Sequence, residues 1–193
     1  MRDLRDDSFM NLFIRVSRSF FKRMRGRFFF YSFMFDRGSK SSLTFGINPI
    51  FINTKRIRFN GNNNFGRFTR IEVFTSHSSD AKVTFGEFVS SGDYFHVGCA
   101  YKITFGNNVL IGSNVLVIDH NHGTPRTDMR NESKVKPRDR PLSGKEIIIC
   151  DDVWVGDGVC ILPGSYVGKG SIIPANSVVR GIVEDYSIYD QKT

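Results

Sequence analysis

The C-terminal half of the chain carries a large aliphatic residue at every sixth position. The unbroken series consists of Ile149, Val155, Ile161, Val167, Ile173 and Val179. Four residues after each of the first five stands a valine or a serine, at Val153, Val159, Ser165, Ser171 and Ser177. A helix repeats every 3.6 residues and a half-buried strand every 2, so neither produces this period. The period instead predicts a coil of three short flat strands, each one hexapeptide long, with the large residues inside a prism.

The earlier part of the chain shows the same period with interruptions. The series Phe45, Phe51, Ile57 and the series Phe59, Phe65, Ile71 each have a spacing of six. The shift of two residues between them indicates a bulge or a longer turn, and the phenylalanines indicate a wider early stack. Five later glycines fit the corners of the coil, where a left-handed backbone costs a glycine least: Gly156, Gly158, Gly164, Gly168 and Gly170. We predict an all-β fold, a parallel β-helix over residues 41–193, rather than a β-sandwich, whose alternating strands would not keep a spacing of six.

The period breaks between Val117 and Ile149, which are 32 residues apart and therefore out of register by two. The break begins with "DHNHG", residues 119–123, and continues as a polar stretch. We predict that a loop over about residues 119–146 leaves the prism there, because exposed loops on a rigid scaffold often carry chemistry. Its two histidines, His120 and His122, are suited to accept a proton near neutral pH.

The N-terminal segment, residues 1–40, combines basic and aromatic residues in "FFKRMRGRFFFYSFMF". Arginines interrupt it too often for a spanning helix or a signal peptide. We expect a short helix that lies on an anionic membrane surface, or one that packs on its own domain or a neighbouring subunit. The formal net charge of +8 also favours an anionic partner. Three cysteines without a metal-binding spacing favour a reducing cytoplasm and no disulfide scaffold, with the N-terminal segment as a candidate contact to the inner face of the membrane.

Two stretches carry a resemblance to a known family: "ITFGNNVLIGSNVLVIDHNHG" and, after the polar loop, "IIICDDVWVGDGVCILPGSYVGKGSIIPANSVV". Together they resemble the hexapeptide-repeat acyltransferases, and especially the O-acetyltransferase branch with its galactoside, maltose and surface-polysaccharide acetyltransferases. The resemblance covers roughly residues 85–186. It implies a left-handed β-helix, a homotrimer, and acetyl-CoA bound in a groove between subunits. It also implies acetyl transfer to a saccharide hydroxyl, in surface-polysaccharide biosynthesis. We expect this transfer to be direct, because no cysteine lies beside the histidines to carry an acyl intermediate.

The resemblance assigns roles to the residues of the break. Aligning the chain without gaps on the galactoside and maltose enzymes places their catalytic histidine on His122. His120 then orients the substrate or supports the loop, and a shift of two residues at the corner would exchange the two roles. Asp119 orients an imidazole and contacts the substrate, or it caps a turn.

Beyond the loop, the resemblance implies three contacts to the coenzyme. Trp154 in "VWVG" packs on the pantetheine arm or on the acceptor sugar, or else fills a subunit interface. The backbone N–H of Asp157 donates to the thioester carbonyl, and the small Ala175 lets the pantetheine approach. Family members continue with a basic "AGNPAK" turn where this chain reads "DYSIYDQKT". We therefore expect Lys169 or Arg180 to contact the coenzyme phosphate instead.

Three other functions compete with acetyl transfer. A zinc-dependent carbonic anhydrase of the same fold would draw on the four histidines, His77, His96, His120 and His122, but its His-x-x-x-x-His spacing is absent and we expect no metal. A non-catalytic scaffold that binds glycan or membrane fits the unusual ends of the chain. Nucleic-acid binding has only the net charge in its favour, so we expect no nucleic-acid partner.

Overall fold

The computed structural model describes residues 42–76, 78–123 and 134–190. The predicted N-terminal helix over residues 1–40 and the middle of the predicted loop lie outside these residues. Within them, no helix is long and apolar enough to cross a membrane.

Eighteen short strands, numbered along the chain, form three parallel sheets of six strands each. Sheet A contains β1 (Leu43–Phe45), β4 (Asn63–Phe65), β7 (Ser90–Ser91), β10 (Leu110–Ile111), β15 (Trp154–Val155) and β18 (Ile172–Ile173). Sheet B contains β2 (Ile50–Ile52), β5 (Arg70–Val73), β8 (His96–Cys99), β11 (Leu116–Ile118), β16 (Cys160–Ile161) and β19 (Val178–Val179). Sheet C contains β3 (Ile57–Phe59), β6 (Lys82–Phe85), β9 (Lys102–Phe105), β14 (Ile147–Ile149), β17 (Tyr166–Val167) and β20 (Ile182–Val183).

The chain visits sheets A, B and C in turn, so that six coils stack into the predicted left-handed parallel β-helix. The edges of the prism are called A–B, B–C and C–A after the sheets they join. Two further strands, β12 (His120–His122) and β13 (Leu142–Gly144), form an antiparallel pair outside the three sheets. Two 3-10 turns cover Thr54–Arg56 and Pro137–Asp139.

The large residues of the unbroken six-residue series are all buried in the core of the prism. Within sheet A, Ile111 is in register with Val155, and Val155 is in register with Ile173, so each coil adds one side chain to a continuous column. The prediction of inward-facing hexapeptide positions is therefore confirmed. Burial of such columns is the main source of stability in this fold, because each coil covers the apolar surface of the next.

The first coil is two residues longer than the last complete ones, with 20 residues from Leu43 to Asn63 and 18 from Trp154 to Ile172. Phe59 is in register with Phe85, and Phe85 with Phe105, although Phe59 lies eight residues after Phe51 instead of six. The two extra residues fall at edge B–C, where the 3-10 turn Thr54–Arg56 accommodates them. Stacked rings fill the interior, with centroids of Phe85 and Phe105 4.6 Å apart. Edge B–C is also the edge from which the predicted loop departs.

The corner glycines serve two different purposes. Gly158, Gly164 and Gly170 have positive φ, as expected for a left-handed turn. Gly156 does not; a Cβ there would lie 2.6 Å from the backbone nitrogen of Ala175 in the next coil. This glycine is required because two coils approach closely.

Candidate functional site

The predicted loop begins and ends as an ordered hairpin at edge B–C of the fourth coil. Its strands β12 and β13 pair so that His120 is opposite Gly144 and His122 is opposite Leu142. The amide of Lys145 donates to the carbonyl of Asp119 at 3.0 Å, which closes the base of the hairpin. The break in the six-residue period therefore marks a hydrogen-bonded extension that carries both histidines.

Asp119 anchors this hairpin to the preceding coil. Its carboxylate is fully buried and accepts hydrogen bonds from the amides of Ala100 at 2.7 Å and Tyr101 at 2.9 Å. The same carboxylate lies 3.0 Å from Nδ1 of His120. Capping a turn and orienting an imidazole, which were alternatives for Asp119 in the sequence, occur together in the structure.

His120 is held in one orientation. A carboxylate only accepts hydrogen bonds, so Nδ1 of His120 donates to Asp119. The ring also packs edge-on against Phe74, with centroids 5.6 Å apart. The other ring nitrogen, Nε2, has no hydrogen-bond partner among the described residues. Every fully buried side-chain nitrogen or oxygen atom among these residues does have a partner, so Nε2 is not fully buried and reaches solvent.

His122 occupies the same side of β12, two residues further along, and its side chain is exposed. In the part of the chain that the structure describes, no side chain forms a hydrogen bond or an ion pair with it. The hairpin thus presents a buried, oriented imidazole and an exposed, free one side by side.

A second feature lies at edge A–B, where side chains form a ladder of hydrogen bonds along the prism. Each backbone amide at one corner position donates to the side chain one coil further on: Arg67 to Asp93 (2.6 Å), Asp93 to Ser113 (3.2 Å) and Ser113 to Asp157 (2.6 Å). The next residue in this ladder is Ala175, which offers only a methyl group. The amide of Asp157 consequently has no acceptor within the described residues. At edge C–A, the amide of Asp151 also has no acceptor within the described residues, because the residue at the same corner of the next coil is Lys169, whose side chain only donates.

The remaining predicted site residues are spread over the molecule. Trp154 lies on the outer face of sheet A, 51% exposed and in register with Leu110 and Ile172. Lys169 lies at edge C–A, with Nζ 3.7 Å from Asp152, and Arg180 lies at edge B–C. Within one chain the structure brings together Asp119, His120 and His122 at the hairpin, and Asp157 with Ala175 at edge A–B. Trp154, Lys169 and Arg180 stand on separate edges or faces.

A third cluster was not predicted. Arg70, Glu72 and His96 project from the outer face of sheet B, where the Arg70 guanidinium contacts both oxygens of Glu72 at 2.7 Å and Nε2 of His96 lies 3.1 Å from Oε2. Burial alone would raise the pKa of Glu72, but the hydrogen bonds from Arg70 and His96 outweigh it and lower the pKa. The inward position of Ile71 in the six-residue series could have indicated that its neighbours Arg70 and Glu72 point outward. Nothing in the linear sequence connected them with His96, 24 residues away.

Metal ligation finds no support in the described ranges. No group of three or more His, Cys, Asp or Glu side chains there is arranged to hold a metal ion.

Comparison with known proteins identifies the family to which this fold belongs. The family described as "Bacterial transferase hexapeptide (six repeats)" matches residues 146–181. The chain is 34% identical over 139 residues to the "Putative lipopolysaccharide biosynthesis O-acetyl transferase WbbJ" of Escherichia coli, covering 68% of this chain and 69% of that protein. It is also 34% identical over 83 residues to the "Galactoside O-acetyltransferase" of Lactococcus lactis, covering 43% of this chain and 36% of the relative.

Among solved structures, the fold is similar to AntD, an N-acyltransferase from Bacillus cereus crystallised with dTDP and 3-hydroxybutyryl-CoA. The TM-score is 0.61 at 18% identity, over 76% of this chain and 73% of the AntD chain. At this identity the likeness establishes the fold alone. The hexapeptide coils, the family match and the extent of identity to WbbJ together show that the chain belongs to the hexapeptide-repeat acyltransferase family and is an enzyme of its O-acetyltransferase branch.

Proposed function

We propose that this enzyme transfers the acetyl group of acetyl-CoA to a hydroxyl of a saccharide, in the biosynthesis of a surface polysaccharide. The observation that carries the proposal is the ordered hairpin, which presents exposed His122 next to the buried Asp119–His120 pair. The names of two relatives, one in lipopolysaccharide biosynthesis and one acting on galactosides, support the saccharide acceptor.

His122 is proposed as the general base because it is the exposed histidine of the pair. It takes the proton of the acceptor hydroxyl while the hydroxyl oxygen forms a bond to the acetyl carbon. The carbon–sulfur bond then breaks, and His122 returns the proton to the departing thiolate. The coenzyme supplies the activated acetyl group as a thioester. His120 is buried and held by Asp119, so it stabilises the base of the hairpin. It is the alternative base, through the Nε2 that reaches solvent.

The end of the ladder at edge A–B fits the acetyl-CoA thioester. An amide without an internal acceptor, such as that of Asp157, can donate to the oxygen that gains negative charge during the transfer. Ala175 leaves room for a narrow pantetheine chain at the same corner, and Trp154, three residues before Asp157, offers an exposed indole for apolar contact. Lys169 or Arg180 would pair with the coenzyme phosphate.

A homotrimer is proposed because one chain separates these groups. His122 stands at edge B–C, whereas Asp157 and Ala175 stand at edge A–B. A face of six extended residues spans about 20 Å, so the two edges are far apart. A neighbouring subunit that places its A–B edge against the hairpin would unite the two halves of the site. Light scattering at micromolar concentration tests this arrangement, and a monomer would contradict it.

The cellular location is also a proposal. We place the enzyme in the cytoplasm, with the N-terminal segment of residues 1–40 in peripheral contact with the anionic inner face of the membrane. Cosedimentation with anionic vesicles that is reversed by high salt is expected for the full chain. Equal sedimentation after removal of this segment would contradict the role.

The central test combines two measurements on the full chain. Calorimetry is expected to show binding of coenzyme A, and an assay of thiol release is expected to show acetyl transfer to a neutral saccharide. A chain that binds coenzyme A but releases no thiol with any saccharide would contradict the proposed acceptor. A chain that binds no coenzyme A would contradict the reaction itself.

A further inference from the structure

The Arg70–Glu72–His96 cluster occupies an unusual place for an ion network. The Glu72 side chain is only 5% exposed, although it lies on the outer face of the β-helix, where a carboxylate could remain in water. Withdrawing a carboxylate from water is costly, and the ion pair with Arg70 offsets that cost only in part. The stability of the coil does not require a buried charge here, because its columns of apolar side chains lie on the inner faces.

The cluster adjoins the histidine hairpin across a single glycine. Glu72 is in register with Gly98, and Gly98 is in register with Ile118, the last residue before Asp119 on the chain. A Cβ at Gly98 would lie 3.6 Å from Cε1 of His120. Glu72, by its register on β5, and the imidazole of His120 therefore flank the same residue from two sides.

Neither the backbone conformation at Gly98 nor a close approach of neighbouring atoms requires a glycine at this position. Every other described glycine either has positive φ or lies so close to a neighbouring atom that a Cβ would clash. Gly98 has neither property, since the nearest atom to its hypothetical Cβ is 3.5 Å away. Because Gly98 has no side chain, the outer surface between Glu72 and the hairpin forms a shallow depression.

The polar groups beside this depression are of the kind that bind sugars. Arg70 holds both oxygens of Glu72 and so fixes the plane of the carboxylate. Glu72 in turn orients His96, whose side chain is 38% exposed and whose Nδ1 has no partner among the described residues. Phe74, two residues after Glu72, and Ile118, in register with Gly98, add half-buried apolar surface between the cluster and the hairpin. A few oriented polar groups beside apolar surface are typical of sites for small polar ligands.

We propose that His96 binds a hydroxyl group of the acceptor saccharide and holds it beside the histidine hairpin, with Glu72 and Arg70 as positioning residues. This inference rests on the proposed function, because it names the surface that receives the acceptor of that reaction. It assigns no proton transfer to Glu72 or His96.

Saccharide binding without coenzyme tests the inference separately from catalysis. The probes are methyl glycosides of glucose, galactose, mannose and rhamnose together with lactose and maltose, followed by ligand-observed NMR with the full chain. His96→Gln is expected to weaken binding about tenfold, as the loss of one hydrogen bond implies. Glu72→Gln is expected to weaken binding as well, because His96 loses the carboxylate that orients it. His122→Ala is expected to leave binding within a factor of about two, because a general base acts in the transition state.

The matched control is Glu146→Gln, which removes a carboxylate from the exposed Lys102–Glu146 pair next to sheet C. Unchanged binding in this variant is expected, and a loss equal to that of Glu72→Gln would overturn the inference. His96→Gln leaves the Arg70–Glu72 pair intact, so it remains informative even if Glu72→Gln folds poorly. In steady-state kinetics, both cluster variants are expected to raise the KM for the saccharide and leave the KM for acetyl-CoA unchanged.

The outcomes separate this inference from the function on which it rests. Saccharide binding that depends on Glu72 and His96 in a chain without acetyl transfer would sustain the subsite and overturn the proposed reaction. Acetyl transfer with normal saccharide KM in both cluster variants would sustain the reaction and overturn the subsite. Failure of the parent chain to bind any of the probes would also overturn the subsite.

Discussion

Asp119 holds the imidazole of His120 at an Nδ1–Oδ1 distance of 3.0 Å while the same carboxylate accepts hydrogen bonds from two backbone amides of the preceding coil. One buried side chain thus joins the β-helix to the hairpin that carries both histidines. Loss of this side chain affects the fold and the site together.

Asp119→Ala is expected to lower the free energy of unfolding by about 3 kcal/mol, because it leaves the buried amides of Ala100 and Tyr101 without acceptors. Asp119→Asn keeps one acceptor oxygen and is expected to cost less. Denaturant titration of the three proteins measures both effects. Equal stability of Asp119→Ala and the parent would contradict the anchoring role.

His122→Ala is expected to lower kcat by about 10²–10⁴ while coenzyme affinity stays nearly constant, because general-base catalysis acts in the transition state. His120→Ala is expected to cost less, since its ring supports the hairpin. Initial rates and coenzyme calorimetry on both variants provide the comparison. The opposite ranking would make His120 the base, through the Nε2 that reaches solvent.

Ala175→Asp is expected to close the ladder at edge A–B, because its carboxylate would accept from the Asp157 amide as Asp157 accepts from Ser113. The melting temperature should be retained, whereas kcat should fall by about 10²–10³, the usual loss for one oxyanion donor. Asn176→Asp is the matched control, since it adds the same charge one residue along the chain. Full activity of Ala175→Asp would exclude the Asp157 amide from the transition state.

The pH dependence of stability should report on Glu72. Its pKa is lowered in the folded state, so its contribution is fully present above the unfolded value of about 4.3 and is lost as pH falls through the lower folded value. Thermal melts of the parent and Glu72→Gln between about pH 6 and pH 3 should therefore converge toward acid pH. A constant difference across this range would show that the ionised carboxylate contributes nothing.

Two glycine substitutions should have opposite effects on stability. Gly98→Ala adds a methyl group without a clash and is expected to be neutral or to stabilise the chain by up to about 1 kcal/mol. Gly112→Ala places Cβ 2.7 Å from the amide nitrogen of Asp157 and is expected to cost about 1–3 kcal/mol. Thermal denaturation compares the two, and destabilisation by Gly98→Ala would indicate a packing requirement absent from the structure.

The sequence by itself determined the β-helix and the place where it is interrupted. A period of six is incompatible with the geometry of a helix or of an alternating strand, so the series from Ile149 to Val179 leaves one economical fold. The same period located the break at "DHNHG" and drew attention to His120 and His122. Local spacing was sufficient because each hexapeptide buries its own large residue in the same way.

Tertiary structure decided which side chains meet. The ordered hairpin, the burial of Asp119 and the open amide of Asp157 all depend on contacts between coils, and the coils are separated by 18 to 44 residues along the chain. The Glu72–His96 contact depends on the register of β5 and β8, which the irregular spacing of the early coils concealed. A linear period specifies which residues point inward. Hydrogen bonds and ion pairs on the outer surface follow from the stacking of the coils.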